Sequence, residues 1–327
     1  MKIIAKDILN NAVASIMKIL LAEYAMGIGM GGTLLLEGKA MISTLTNSFT
    51  NLGHDVTYLT SESRLKCGNA VISDESTFME KLEETANESD AALVIGPDEL
   101  LGDLTYIIEG NTTNLGCSSE SARLCADKLA CTEILKAKSV PVPEIMDMDT
   151  GNKCVVKPRF GCASEGVRLT SAAKNHGENE DEEYIATEYV EGEHLSAGMI
   201  CGQNFLPLSL NKQLIEIKEN NGETIFDYKG NQVPYRTDFE DEIFITAKKT
   251  VEALGCNGYV GIDFVYVDKP YVIDVNPRPT TAIFGLVKTL ECEIGDLLLM
   301  NMFGELPESV ELKGECSFTK DDIEDII

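Results

Sequence analysis

Gly261-Ile262-Asp263-Phe264-Val265, followed shortly by Tyr271-Val272-Ile273-Asp274-Val275-Asn276-Pro277-Arg278, reads as two strands of alternating character joined at Asp268-Lys269. A two-residue loop there sets Asp263 directly opposite Asp274 on one face, beside Asn276. Ile262, Phe264, Ile273 and Val275 then fill the other face. Opposed carboxylates destabilise a hairpin by repulsion. A divalent cation held by oxygen ligands removes that conflict, and an Asp/Asp/Asn set suits Mg²⁺ or Mn²⁺ carrying a substrate phosphate. The competing reading, a solvated hairpin with incidental acids, needs the right residue at three positions by chance.

Outward from the hairpin, composition narrows the classes. The chain of 327 residues has room for two domains, or for one with subdivided lobes. Acids outnumber bases 54 to 27, a formal charge of −27, which argues against nucleic-acid or anionic-membrane partners. An anionic substrate therefore needs a local nest of cations, and the few Lys and Arg residues near glycines carry more weight. Ten cysteines show no CxxC spacing and read as free thiols of a reducing cytosol. With three histidines (His54, His176 and His194), a His-based triad or zinc site is not expected. The apolar stretch 12–35 is interrupted by Lys18 and Glu23, so no membrane span is expected and the cytoplasm is the expected location.

Residues 18–25 read as a buried strand, 27–32 as a Gly/Met-rich loop, 37–52 as a helix, 54–59 as a strand, 78–86 as a helix and 91–95 as a strand. That alternation predicts a small open α/β domain. A boundary follows at 114–119, then a helix to about residue 138 with Asp127 capping Lys128 onward, stopped by Pro141 and Pro143. Residues 153–158 read as a strand and 159–166 as a small polar loop holding Gly161, Ser164 and Gly166. A return strand at 167–170 and an acidic solvated run at 178–183 come next. From 184 onward strands dominate (185–190, 195–200, 205–217, 224–228). Thr237-x-x-Glu240 predicts a capping box for a helix ending at Gly255. A last helix spans 294–303, and the charged tail 320–327 is expected to fray. The expected division is an N-terminal extension at 1–16, an α/β domain at 17–117, a central lobe at 118–187 and a C-terminal lobe at 188–327.

The order Lys128, Lys157, Gly/Ser loop, Glu188-Tyr189-Val190 strand end, Asp263, Asp274-x-Asn276-x-Arg278 resembles the ATP-grasp superfamily of carboxylate–amine ligases over residues 115–305. The resemblance implies an ATP-grasp fold, α/β with α+β lobes, behind a small open α/β domain. It implies ATP bound by Lys128 and Lys157 on the phosphates, by Gly161, Ser164 and Gly166 closing over them, and by Glu188, Tyr189 and Val190 reading adenine. Asp263, Asp274 and Asn276 would hold Mg²⁺ or Mn²⁺, with Arg278 and Lys157 catalytic.

Asn114-Leu-Gly-Cys-Ser-Ser-Glu120, Glu188-Tyr-Val-Glu-Gly-Glu-His-Leu-Ser196, Pro207-Leu-Ser-Leu-Asn-Lys-Gln213, Asn257-Gly-Tyr-Val-Gly-Ile-Asp263 and Asn276-Pro-Arg-Pro-Thr-Thr281 are similar to the tyramine–L-glutamate ligase family of methanofuran biosynthesis in methanogenic archaea. That implies phosphorylation of the glutamate γ-carboxylate by ATP and attack of tyramine on the acyl phosphate, with substrate contacts at Asn211, Lys212 and Arg278. Two positions depart from the pattern. Asp274 stands where many ATP-grasp enzymes have Glu. His194 stands where the ribose-binding acid is usual, leaving Glu191 or Glu193 for that role. Residues 1–16 precede the family's usual start, so a chain beginning at Met17 is expected to fold. A homodimer is among the assemblies left open. A ligase with another acid–amine pair, or a nucleotide-binding regulator without chemistry, are the alternatives. A regulator has no need of both lysines, both carboxylates, Asn276 and Arg278 together.

Overall fold

The computed structural model describes residues 15–62, 64–146, 153–161, 166–170, 184–220 and 223–323. The expectations for residues 1–14, Ser164, the acidic run 178–183 and residues 324–327 lie outside them. Behind an exposed lysine, every residue of β1 (Lys18–Glu23) is buried, as in a strand covered on both faces. α1 (Tyr24–Ile28) follows without a loop, because the Glu23 carboxylate accepts the Ala25 and Met26 N–H groups at 3.1 and 2.7 Å. The stretch expected as a glycine loop is therefore partly helical, and α2 (Gly32–Asn51) starts five residues before the expected position.

The N-terminal half continues with β2 (Asp55–Thr60), β3 (Asn69–Ile72), α3 (Phe78–Asn87), β4 (Ala91–Ile95), α4 (Asp98–Asn111) and β5 (Thr113–Asn114). All five strands pair in parallel in the order β3-β2-β1-β4-β5. The strand order reverses direction between β1 and β4, the switch point where open α/β sheets leave a crevice at the strands' carboxyl ends.

Two helices, α5 (Ser119–Ala126) and α6 (Lys128–Ala137), replace the single helix expected there. Asp127 breaks the run and caps α6 through the Leu129 and Ala130 N–H groups. It also takes a fork from Arg159 at 2.8 and 2.6 Å, tying the helix to the loop after β6 (Cys154–Pro158).

β6 belongs to an antiparallel sheet of nine strands. Its members in chain order are β6, β7 (Arg168–Thr170), β8 (Tyr184–Glu188), β9 (Glu193–Cys201), β10 (Phe205–Asn220) and β11 (Glu223–Val233), and, after α7 (Glu240–Leu254), β12 (Gly258–Tyr266) and β13 (Pro270–Asn276). α8 (Ile283–Thr289) and α9 (Ile294–Phe303) lead to the last strand, β14 (Cys316–Thr319), which pairs with β11. The path runs β13-β12-β9-β10-β11-β7-β6-β8. At α7 the expected capping box is not made. The helix begins at Glu240 rather than after Thr237, whose hydroxyl instead accepts the Phe239 N–H at 3.5 Å.

One apolar core joins the sheets: Ile19, Leu21, Ile42, Leu45 and Phe49 from the N-terminal half meet Ile200, Leu206, Tyr259, Phe284 and Leu298. A second fills the space between the long sheet and α7. No described helix is long and apolar enough to cross a membrane.

The deciding hairpin has the expected facing pair, reached by another route. Tyr266 pairs with Pro270, so the loop has three residues, and a bulge at Ile273 restores Asp263 opposite Asp274. In consequence Val272, not Ile273, joins Ile262, Phe264 and Val275 in the core. Ile273 turns to the opposite face.

Candidate active site

A cleft of about 300 Å³ lies between the carboxyl ends of β1 and β4 and one face of the long sheet. Alternation selects its floor: His194 and Ser196 from β9, Gln213 and Ile215 from β10, Asp263 and Val265 from β12 face it together. The same alternation turns Glu193 and Lys212 to the α7 side. There they pair with each other at 2.5 Å, and the Tyr235 hydroxyl donates to Glu193 at 2.9 Å. Neither lines the cleft, which corrects the expected ribose and substrate contacts at those residues. Asn211 shares the face of Ser196 and Gln213 and donates to Ser196 Oγ at 3.3 Å, but it is buried and does not itself line the cleft.

Lys128, Lys157, Gly161, Glu188, Tyr189, Val190, Asp263, Asp274, Asn276 and Arg278 all line the cleft. Gly161, at φ 145°, adopts a backbone that a side chain would strain. Gly166 returns beside Pro158, outside the lining residues. At one end Phe226 lies 6.3 Å from Tyr189 and 6.2 Å from His194, an aromatic and apolar slot of the kind a planar base enters.

Along the strands toward the N-terminal half the cleft becomes ionic. Lys128 Nζ lies 3.3 Å from both Asp274 Oδ1 and Asp98 Oδ2, and Arg278 Nη2 is 3.4 Å from Asp98 Oδ1. Lys157 donates to the carbonyl of the bulged Ile273 at 2.7 Å, and Gln213 to Asp263 Oδ1 at 3.0 Å. Burial works against the charge on Lys128, but Asp274 and Asp98 outweigh it and hold its pKa above the ordinary value. Burial likewise lowers Lys157. Desolvation and the facing Asp274 push Asp263 up to about 7. Burial would raise Asp274 too, yet Lys128 and Lys157 hold it down.

The two hairpin acids therefore differ: cations hold Asp274 as a carboxylate, whereas at Asp263 burial and the facing Asp274 outweigh Arg278, Lys128 and Lys157. A divalent cation between them would let both ionise, so this oxygen-donor set fits such an ion. No trio of His, Cys, Asp or Glu side chains suited to a metal gathers among the described residues. The hairpin offers two acids and the Asn276 amide.

Sequence reasoning missed Asp98, buried against the cleft's Lys128 and Arg278, and Glu23, Gln213, Tyr228 and Asn231 in the cleft lining. The first two carried a usable signal: Glu23 ends β1 and Asp98 follows β4 by three residues, on either side of the switch point.

A parallel sheet beside a large antiparallel one, with paired acids facing two lysines across a cleft, defines an ATP-grasp ligase. A family model described as ATP-grasp domain matches residues 125–282. A solved ATP-grasp superfamily protein from Archaeoglobus fulgidus superposes with a TM-score of 0.74 at 28% identity, covering 92% of this chain and 91% of that one. A tyramine–L-glutamate ligase from Methanocaldococcus fervens is 33% identical over 306 residues, 88% of this chain and 94% of its own. Its counterpart from Methanocaldococcus jannaschii is 32% identical over 337 residues, 98% and 99% of the two chains. The chain belongs to the tyramine–L-glutamate ligase family of ATP-grasp enzymes. It is an ATP-dependent ligase, from a family that uses ATP with divalent metal ions.

Proposed function

We propose that the enzyme joins L-glutamate to tyramine through the γ-carboxylate, forming γ-glutamyltyramine, ADP and phosphate. The observation that carries this reading is the ionic chain Asp98–Lys128–Asp274 facing Asp263, with Arg278 at its end. Phosphoryl transfer needs fixed positive charge against the phosphates, and in a protein of charge −27 Lys128, Lys157 and Arg278 supply it in this cleft. Lys128 and Lys157 meet the phosphates, and the Tyr189/Phe226/His194 slot takes the base. Asp263, Asp274 and Asn276 are the ligands for Mg²⁺ or Mn²⁺, which when bound polarises the transferred phosphoryl group.

Arg278 offers a planar fork suited to a carboxylate, and so orients the glutamate γ-carboxylate toward the phosphate. A γ-carboxylate oxygen attacks the terminal phosphorus and the bond to ADP breaks. The acceptor's ammonium gives up a proton to solvent, the neutral amine attacks the acyl carbon, the C–N bond forms, phosphate leaves, and the amide nitrogen loses a second proton to solvent. Rates accordingly rise from pH 7 toward alkaline values.

The test is mass spectrometry of the product formed from ATP, L-glutamate and tyramine, against a panel of other acids and amines. A γ-glutamyl amide that requires both named substrates is the expected result. Better turnover of another acid–amine pair would leave the ligase class and remove these substrates. Thermal melts with ATP and each metal separate Mg²⁺ from Mn²⁺.

A further inference from the structure

We propose that the cleft wall built by α2 receives the amine acceptor, with its ammonium on Glu37 and its apolar body along Met30, Leu34 and Met41. This rests on the reading above that the second substrate is an amine. Leu34, Glu37, Gly38 and Met41 share one face of α2 by helical spacing, and all line the cleft. Gly38 has a packing reason to lack a side chain: a Cβ there would lie 2.1 Å from Glu23 Oε2. Its absence lets the Glu23 carboxylate, whose oxygens hold the first N–H groups of α1, lie against α2.

Facing this acidic and apolar wall is Lys320, just beyond β14. Its Nζ is 3.4 Å from Glu37 Oε1 and 5.3 Å from the centre of the Tyr228 ring. The protein's own primary ammonium thus rests between a carboxylate and an aromatic face, the pair of contacts that would recognise the ammonium of an arylalkylamine. Lys320 is one-third exposed and has open solvent to retreat into.

Beside it Asn231, 2% exposed, donates to the Tyr228 hydroxyl at 2.6 Å, while its Oδ1 has no partner among the described residues. A buried amide oxygen at a cleft wall is an acceptor waiting for a donor, which a hydroxyaryl amine carries at both ends. Glutamate fits here badly, since Glu23 and Glu37 repel its carboxylates while Arg278 attracts them. The wall therefore keeps acid and amine apart by repulsion as well as attraction.

Two assays on the intact enzyme separate this proposal from the substrate reading. Trapping with hydroxylamine, which is uncharged at neutral pH, reports formation of the acyl phosphate; amide synthesis reports the amine. In Glu37→Gln the KM for tyramine should rise about tenfold or more, with hydroxamate formation within about twofold of wild type. In Lys320→Met, which removes the competing ammonium, the KM for tyramine should stay level or fall. A tyramine KM within about twofold of wild type in Glu37→Gln overturns the proposal, as does an equal rise in both variants, the mark of a structural ion pair.

Should Glu37→Gln not fold, competition on the wild type decides. The N,N-dimethyl analogue of tyramine should compete about tenfold better than the alcohol of equal length; equal competition overturns the proposal. A wild type that forms no amide from glutamate and tyramine fails the substrate reading instead.

Discussion

The two walls of the cleft hold similar numbers of acids and treat them in opposite ways. On the hairpin wall Asp263 and Asp274 are fixed by the ladder of β12 and β13 and answered by Lys128 and Lys157 from two other elements. On the N-terminal wall Glu23 faces Arg278 at a distance, and Glu37 pairs with Lys320, one-third exposed just beyond β14. Strand register holds the first set to a single geometry, as phosphoryl transfer requires. Helix and tail side chains hold the second set, which suits selection of a substrate. Asp98 joins the walls, binding Lys128 with one oxygen and Arg278 with the other.

The sharpest way to break this contrast is Asp274→Asn. If the hairpin wall carries the chemistry, turnover should fall about a thousandfold or more, with the fold retained and the thermal gain from metal and ATP lost. Full turnover would place the metal elsewhere. A smaller effect is expected from Arg278→Lys, about a hundredfold in kcat/KM, because an ammonium cannot copy the planar fork; unchanged glutamate kinetics would remove Arg278 from the donor site. Asp98→Asn tests the joint. With Lys128 and Arg278 released from one anchor, kcat should drop about tenfold while ATP affinity stays nearly level. Loss of ATP binding alone would make Asp98 part of the nucleotide site rather than a positioning residue.

The same contrast explains what the sequence disclosed. The hairpin wall is local: Asp263, Asp274, Asn276 and Arg278 lie within sixteen positions of one another, so alternation exposed them before any tertiary information. Even there the bulge was hidden, since no residue type announces that Ile273 is the extra one. The N-terminal wall is assembled from β1, α2, the start of α4 and the end of β14, and its residues have no spacing to read. Glu23 looked like the end of a strand, Lys320 like the start of a frayed tail. Helix starts were misjudged for a related reason. Glu23 caps α1 through contacts that a run of helix-forming residues does not show, and at Thr237 tertiary packing overrode a local cap, whereas the Asp127 cap of α6 was legible in the sequence.

The smallest effect belongs to Glu23, and it asks whether the N-terminal wall carries electrostatic strain of its own. Burial is the main cause that pushes the Glu23 carboxyl up to about 7, partly opposed by the N–H groups of Met26 and Ala25. Below its ordinary value, near 4.5, folded and unfolded chains both hold the proton. Between 4.5 and about 7 the unfolded chain releases it while the folded one keeps it, so this residue's contribution to stability falls as pH rises through that window and levels above it. Glu23→Gln resembles the protonated side chain, keeps an acceptor for α1 and cannot ionise. Allowing for relaxation around a buried charge, on the order of 1 kcal/mol should separate variant from wild type above pH 7, roughly 2 °C in Tm for a chain this long. Asp263 titrates in the same window but is common to both proteins, so it drops out of the difference. Melts of the two at pH 5, 6, 7 and 8 should therefore diverge in the variant's favour as pH rises. A constant offset across that range would mean that Glu23 is ionised throughout, its charge already answered by the helix it caps and by Arg278.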